Sequence, residues 1–118
     1  MRSTADWEAL SDAQRRDWAR RMAVYAGMVQ AMDHHIGRLV EHLKALGEYD
    51  NTLFVFMSDN GPEPADPVAR FGLPFVLWMK AMGFNTDYES LGERDSYVVI
   101  GPGFASAAAS PLSYYKYY

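Results

Sequence analysis

The chain has 118 residues, 49% of them hydrophobic, 14% aromatic and 22% charged, which fits a folded domain and excludes disordered, collagenous and mucin-like chains. Eleven Lys and Arg against fifteen Asp and Glu give a net charge of -4, the wrong sign for holding nucleic acid by counterion release. There is no cysteine, so disulfides, thiolate metal sites and a cysteine nucleophile are excluded, and there is neither an apolar run of about 18 residues nor a hydrophobic leader after Met1, so no membrane span or secretion signal is expected in these residues.

The first predicted element is a helix. Ser11-Asp12-Ala13-Gln14 has the form of a capping box, in which the serine hydroxyl accepts from the amide three residues on and the glutamine reaches back. From there apolar residues recur at Trp18, Met22, Tyr25, Val29, Met32, Ile36, Leu39, Leu43 and Leu46, in alternating steps of four and three. Gly47 stands where a left-handed residue ends a helix. The heptad spacing also suits a coiled coil, but Gly37, the bulky Trp18 and Tyr25, and the flanking Met28 and Val40 widen the stripe into a face suited to packing on a sheet.

After a turn at residues 48–51, the run Thr52-Leu53-Phe54-Val55-Phe56-Met57 is β-prone and apolar on both faces, as expected of a strand in the middle of a parallel sheet. Ser58-Asp59-Asn60-Gly61-Pro62 ends it with polar turn formers. Helix, short turn, buried strand and polar loop make half of a doubly wound α/β unit, and ligands of such sheets collect at the carboxyl ends of the strands. Downstream, residues 63–67 read as loop, 71–84 as an apolar stretch broken by Pro74 and Gly83, and 85–95 as polar without a period. A short strand is expected at 96–100, before Gly101-Pro102-Gly103, an Ala/Ser-rich piece and a tyrosine-rich end.

Asp59 and Asn60 are the leading site candidates. A carboxylate and an amide oxygen on adjacent residues, beside a glycine that lets the loop turn, are ligand chemistry for Ca²⁺ or Mg²⁺. Asp-Asn-Gly-Pro is equally a good turn after a strand, and the residues before Asp59 lack the alternating carboxylates of an EF-hand. His34, His35 and His42 lie on the helix without the spacing that directs two imidazoles to one metal, and Asp33 flanks the apolar seam as a solvated charge. In Tyr114-Tyr115-Lys116-Tyr117-Tyr118 one cation stands among aromatics, too few for a single-strand stacking groove and better suited to an end that continues into more fold.

These pieces together resemble a family. Tyr25-Ala26-Gly27-Met28-Val29, Met32-Asp33 and Ile36-Gly37-Arg38, then Leu43, Leu46-Gly47 and Asp50-Asn51-Thr52, then Phe56-Met57-Ser58-Asp59-Asn60-Gly61, are similar in order and spacing to the C-terminal half of the catalytic domain of type I arylsulfatases, in the alkaline-phosphatase superfamily. The resemblance continues through Asp95-Ser96-Tyr97-Val98, Gly101-Pro102-Gly103-Phe104-Ala105, with Phe104 where that family usually has Trp, and Pro111-Leu112-Ser113-Tyr114-Tyr115-Lys116. It runs from about Trp18 to Tyr118 and matches poorly at residues 71–93.

The resemblance implies an α/β fold, part of an alkaline-phosphatase-like doubly wound sheet with one long N-terminal helix, a central strand and a loop-rich C-terminal half. It implies that residues 1–118 are a partial sulfatase catalytic domain with no internal boundary and incomplete at both ends. Asp59 and Asn60 match calcium ligands, Lys116 matches the lysine that contacts the sulfate ester, and Asn rather than His after the aspartate favours single-calcium sulfatases over two-metal phosphatases. The implied reaction is attack of a hydrated formylglycine on sulfur, with Ca²⁺ and cationic side chains neutralising the sulfate oxygens. That nucleophile and most of the other site residues belong upstream of Met1, so no catalytic residue is expected in this chain. Alone it should bind calcium weakly or not at all and leave sulfate esters intact. Ser11-Asp12-Ala13-Gln14-Arg15 fits the loose Ser-x-Ala-x-Arg pattern of a formylglycine precursor, but the Leu-x-Thr-Gly-like continuation is missing and the capping box accounts for the residues. The alternative reading is a non-catalytic helical interaction module that dimerises through its heptad face. Under the first reading, self-association through exposed apolar surface is expected as well.

Overall fold

A computed structural model describes residues 6–112 and 114–117. Its dominant element is α1, Asp12–Leu46, 35 residues long. The capping box is complete: the Gln14 amide donates to the Ser11 hydroxyl at 3.3 Å, and the Ser11 amide donates to the Gln14 side chain at 2.9 Å. At the other end Gly47 is left-handed (φ 75°, ψ 13°). Its amide reaches the Lys44 carbonyl at 3.1 Å and that of Glu48 reaches Leu43 at 3.0 Å, the paired bonds of a Schellman motif. No helix among the described residues is long and apolar enough to cross a membrane.

Three shorter helices follow: α2 at Pro67–Phe71, α3 at Leu73–Ala81 and α4 at Gly101–Ala108. Each carries a proline in its first turn, where the missing amide has no intrahelical acceptor to lose. The expectation that Pro74 breaks the 71–84 stretch is therefore corrected, because Pro74 helps to start α3. Single 3₁₀ turns sit at Trp7–Ala9, Tyr49–Asn51 and Tyr88–Ser90.

The core lies where the N-terminal half of α1 meets residues 79–109. Met79, Leu91, Ile100, Ala105 and Ala109 are buried there, Leu91 at 1% exposure. The Trp18 ring lies against Gly101 so closely that a Cβ added at Gly101 would fall 2.6 Å from it, and Gly101 is itself left-handed at φ +65°. Arg20 donates to the Leu91 carbonyl at 3.1 Å, the Val24 methyls cover Gly92, and Trp7 meets Phe104 edge-on at 6.0 Å between ring centroids. The C-terminal half of α1 has no such cover, and Val29, Met32, Ile36, Leu39 and Leu46 of the seam are exposed, as is the flanking Met28.

No strand forms among the described residues. The expected strand at 52–57 is a segment without secondary structure whose side chains face solvent, with Leu53 86% and Phe56 77% exposed. The expected strand at 96–100 contributes one isolated parallel bridge, Ser96 to Asn85. The physical reason is the ladder: a strand apolar on both faces needs neighbours along both edges to pair its amides and carbonyls. The described residues offer 53–57 no backbone partner.

The radius of gyration is 17.9 Å, against about 13.5 Å for a compact domain of this length. The accessible area of 9083 Å² exceeds the roughly 6,450 Å² of a compact monomer of this mass. The excess reflects the bare half of α1 and the bare apolar segment after it.

Candidate functional site

The loop that follows residues 52–57 is shaped by its own polar groups. The Ser58 hydroxyl donates to the Asn60 carbonyl at 2.6 Å, and the Asn60 amide nitrogen donates to the Gly61 carbonyl at 2.9 Å. With its nitrogen so engaged, Asn60 keeps the amide oxygen as its uncommitted end. Asp59 is exposed and makes no hydrogen bond or ion pair among the described residues. Two hard oxygen donors thus stand on consecutive residues.

Lys116, 56 residues beyond Asn60 in the chain, comes back to this loop. Its backbone amide donates to the Pro62 carbonyl at 3.0 Å, and its ammonium lies 3.3 Å from Glu63. Contact is possible only because residue 61 is glycine: a Cβ there would fall 2.6 Å from the Tyr114 carbonyl oxygen and 2.8 Å from the Tyr115 Cα. The Lys116 ammonium also sits 5.1 Å from the Tyr117 ring centroid. The Tyr117 hydroxyl and the Glu63 carboxylate both push its pKa above the ordinary lysine value. All three residues singled out from the sequence therefore lie on two backbone segments that touch, with Asp59 and Asn60 on one and Lys116 on the other.

Around them the surface is mixed in charge. A groove of about 990 Å³ runs beside the clasp, lined by Glu63, Asp66, Arg70, Trp18, Phe71 and Tyr117 among others. Tyr97 is half-buried behind it, and burial, followed by the nearby Asp66 and Glu63 carboxylates, raises its pKa.

The histidines stay on the exposed surface of α1. His34 and His35 meet edge-on at 5.4 Å between ring centroids, and Arg38 donates to the His35 ring at 3.1 Å. Ser11 is engaged in its cap, while Arg15 pairs with Asp12 at 2.8 Å and Glu8 at 3.7 Å. Among the described residues no group of three or more His, Asp or Glu side chains could hold a metal ion by itself.

Glu63 was not singled out from the sequence, and Gly61 was read only as a turn residue. Glu63 reads there as one charge in a proline-rich loop, and its signal was the Pro62-Glu63-Pro64 context, which stiffens the backbone on both sides. The value of Gly61 depends on a neighbour more than fifty positions away, which local pattern does not carry.

The family model described as Sulfatase matches residues 2–97. The chain is 39% identical over 112 residues to an uncharacterized sulfatase of Schizosaccharomyces pombe, covering 92% of this chain and 19% of that protein. It is 38% identical over 110 residues to an arylsulfatase of Klebsiella aerogenes, covering 93% of this chain and 23% of that protein. A 40-residue stretch, 34% of this chain and 7% of the relative, is 48% identical to an N-acetylglucosamine-6-O-sulfatase of Bacteroides thetaiotaomicron. The chain spans about a fifth of the length of the first two relatives.

Proposed function

The chain belongs to the sulfatase family, and from that premise we propose that it is part of a sulfuric ester hydrolase, contributing two metal ligands, Asp59 and Asn60, and a sulfate-contacting lysine, Lys116. The observation that carries this reading is the meeting of the two segments: the Lys116 amide bonds to Pro62, two residues past Asn60, across the bare Gly61. Anion-binding and cation-binding groups brought to one loop suit a bound sulfate ester.

The donors fit calcium in kind, since both present hard oxygens, but they fill only two of roughly six to eight coordination positions. The remaining ligands would come from other parts of the enzyme, as would the nucleophile. A cation held there would offset the negative charge of the sulfate oxygens. This chain's own tasks are to hold that cation through Asp59 and Asn60 and to donate charge-assisted hydrogen bonds from the Lys116 ammonium to an ester oxygen. Residues 52–57 would be a central strand of an alkaline-phosphatase-like sheet whose flanking strands lie in the rest of the catalytic domain. Their exposed apolar side chains on both faces support that placement.

Calcium titration followed by backbone NMR tests the metal assignment. Millimolar calcium is expected to move the amide signals of residues 58–61 selectively and weakly, and Asp59→Ala to abolish the response. A response that survives Asp59→Ala, or one that is strongest outside residues 58–61, overturns the assignment. The isolated chain should not hydrolyse nitrophenyl sulfate, and nitrophenol release by a clean preparation would overturn the placement of the nucleophile elsewhere.

A second reading, a helical interaction module, has one observation in its favour, the exposed seam residues of α1 between Val29 and Leu46. A stable dimer of high helix content in sedimentation would select it. A monomer or a polydisperse, aggregating sample selects the piece of an α/β domain.

A further inference from the structure

We propose that Glu63 is the positioning residue for Lys116, a carboxylate fixed by its own loop that holds the ammonium beside the loop carrying Asp59 and Asn60. The proposal rests on the reading of Lys116 as the sulfate contact.

The geometry is that of a built support. Pro62 and Pro64 flank Glu63 and restrict the backbone on either side of it. The Glu63 carboxylate then divides its work between its two oxygens. Oε1 accepts from the Ala65 amide at 2.9 Å, which ties the side chain to its own loop, while Oε2 faces the Lys116 ammonium at 3.3 Å. The backbone of the same lysine is held at 3.0 Å by the Pro62 carbonyl, the residue next to Glu63. Both ends of the lysine are thereby referred to a three-residue stretch of one loop.

A lysine has a flexible four-carbon stem and three rotatable N–H donors, so without a partner its ammonium samples many positions. Engaging one donor with Glu63 and another with the Tyr117 hydroxyl narrows that range and leaves the third for an anion. The facing groups are few. Tyr117 presents its hydroxyl, which hydrogen-bonds the ammonium, with its ring centroid at 5.1 Å, and Asp66 is the next carboxylate along the loop. Of these, Glu63 alone forms an ion pair with Lys116 among the described residues.

The chain has three lysines, Lys44, Lys80 and Lys116, so selective ¹³Cε-lysine labelling, which leaves every N–H donor in place, gives a short set of lysine signals that can be followed by NMR. In the parent chain the Lys116 signal should titrate above the ordinary lysine range, Glu63→Gln should bring it down, and Glu63→Asp should restore part of the difference. Lys44, paired with Glu41 at 2.8 Å, should not move and serves as the internal control for folding. Methyl sulfate is then added as the anion probe. It should shift the Lys116 signal in the parent chain, and several-fold more should be needed in Glu63→Gln. A Lys116 titration identical in the parent and Glu63→Gln overturns the proposal. An equal methyl sulfate response in both overturns positioning while leaving the sulfate reading intact. A normal Glu63 effect on titration with no response to methyl sulfate overturns the sulfate reading, and the positioning role falls with it.

Discussion

Replacing Gly61 with alanine tests whether the clasp between the two loops depends on backbone contact. The new methyl would lie 2.6 Å from the Tyr114 carbonyl oxygen, 2.8 Å from the Tyr115 Cα and 3.0 Å from the Tyr115 carbonyl carbon, where ordinary contacts begin at 3.4 Å. All three are backbone atoms, so no side chain can rotate away, and the segment bearing Lys116 must withdraw by roughly 0.6–0.8 Å. A retreat of that size carries the Lys116 amide from 3.0 Å to nearly 4 Å from the Pro62 carbonyl, too far for a hydrogen bond. Losing the bond costs about 0.5–1.5 kcal/mol, and keeping it by strain costs about 1–3 kcal/mol. Either route gives about 1–2 kcal/mol, equivalent to a roughly 5- to 30-fold rise in the open population. Amide hydrogen exchange at Lys116 reads this directly and should accelerate by that factor in Gly61→Ala, while amides in the first half of α1 keep their rates. A Lys116 exchange rate within about twofold of the parent would refute the reasoning.

Other consequences are open to simple measurement. Ser11→Ala removes the hydroxyl from the capping box and should lower stability by about 1 kcal/mol in urea melts followed by far-UV circular dichroism; an unchanged midpoint would show that the cap is not limiting. Gly101→Ala places a methyl 2.6 Å from Trp18 at a left-handed backbone position, so it should cost about 1–3 kcal/mol and displace the Trp18 indole NMR signal. An unmoved indole signal would contradict that packing. Because the Lys116 pKa is raised in the folded chain, first by the Tyr117 hydroxyl and then by Glu63, its pairing is fully present below the ordinary value of 10.5. It is lost only as the pH climbs through the raised value. Clasp protection should therefore be flat from neutrality up to about that pH and fall only in stronger alkali, and a loss below pH 9 would identify a different titrating group.

Much of the chain was legible before its structure because the deciding interactions are local. Both ends of α1 are set by residues within a turn of one another, Ser11 with Gln14 and Gly47 with Leu43 and Lys44, and they fall where the pattern puts them. The apolar face of α1 was legible too, but it is the part from Trp18 to Val24 that meets residues 91–101. The strand at 52–57 was a statement about what its side chains need, and that need is not met among the described residues. The helices at 67–81 were hidden because Pro74 reads as a breaker unless it is seen to occupy a first turn. Asp59, Asn60 and Lys116 could be picked out by chemistry and resemblance. Glu63 could not, since its role depends on the return of a distant segment.

The two local caps of α1 also carry a consequence for the order of assembly. Every hydrogen bond that defines the helix closes between residues 11 and 48, so its formation requires nothing translated after Glu48. The residues that pack on it, from Leu91 to Gly101, lie later in the chain and meet it through Trp18, Arg20 and Val24. The clasp is of another kind, because it joins Pro62 and Glu63 to Lys116 across more than fifty positions. A lysine returning from so far along the chain is best received by a loop that keeps its own shape, and the prolines on either side of Glu63 give that loop one.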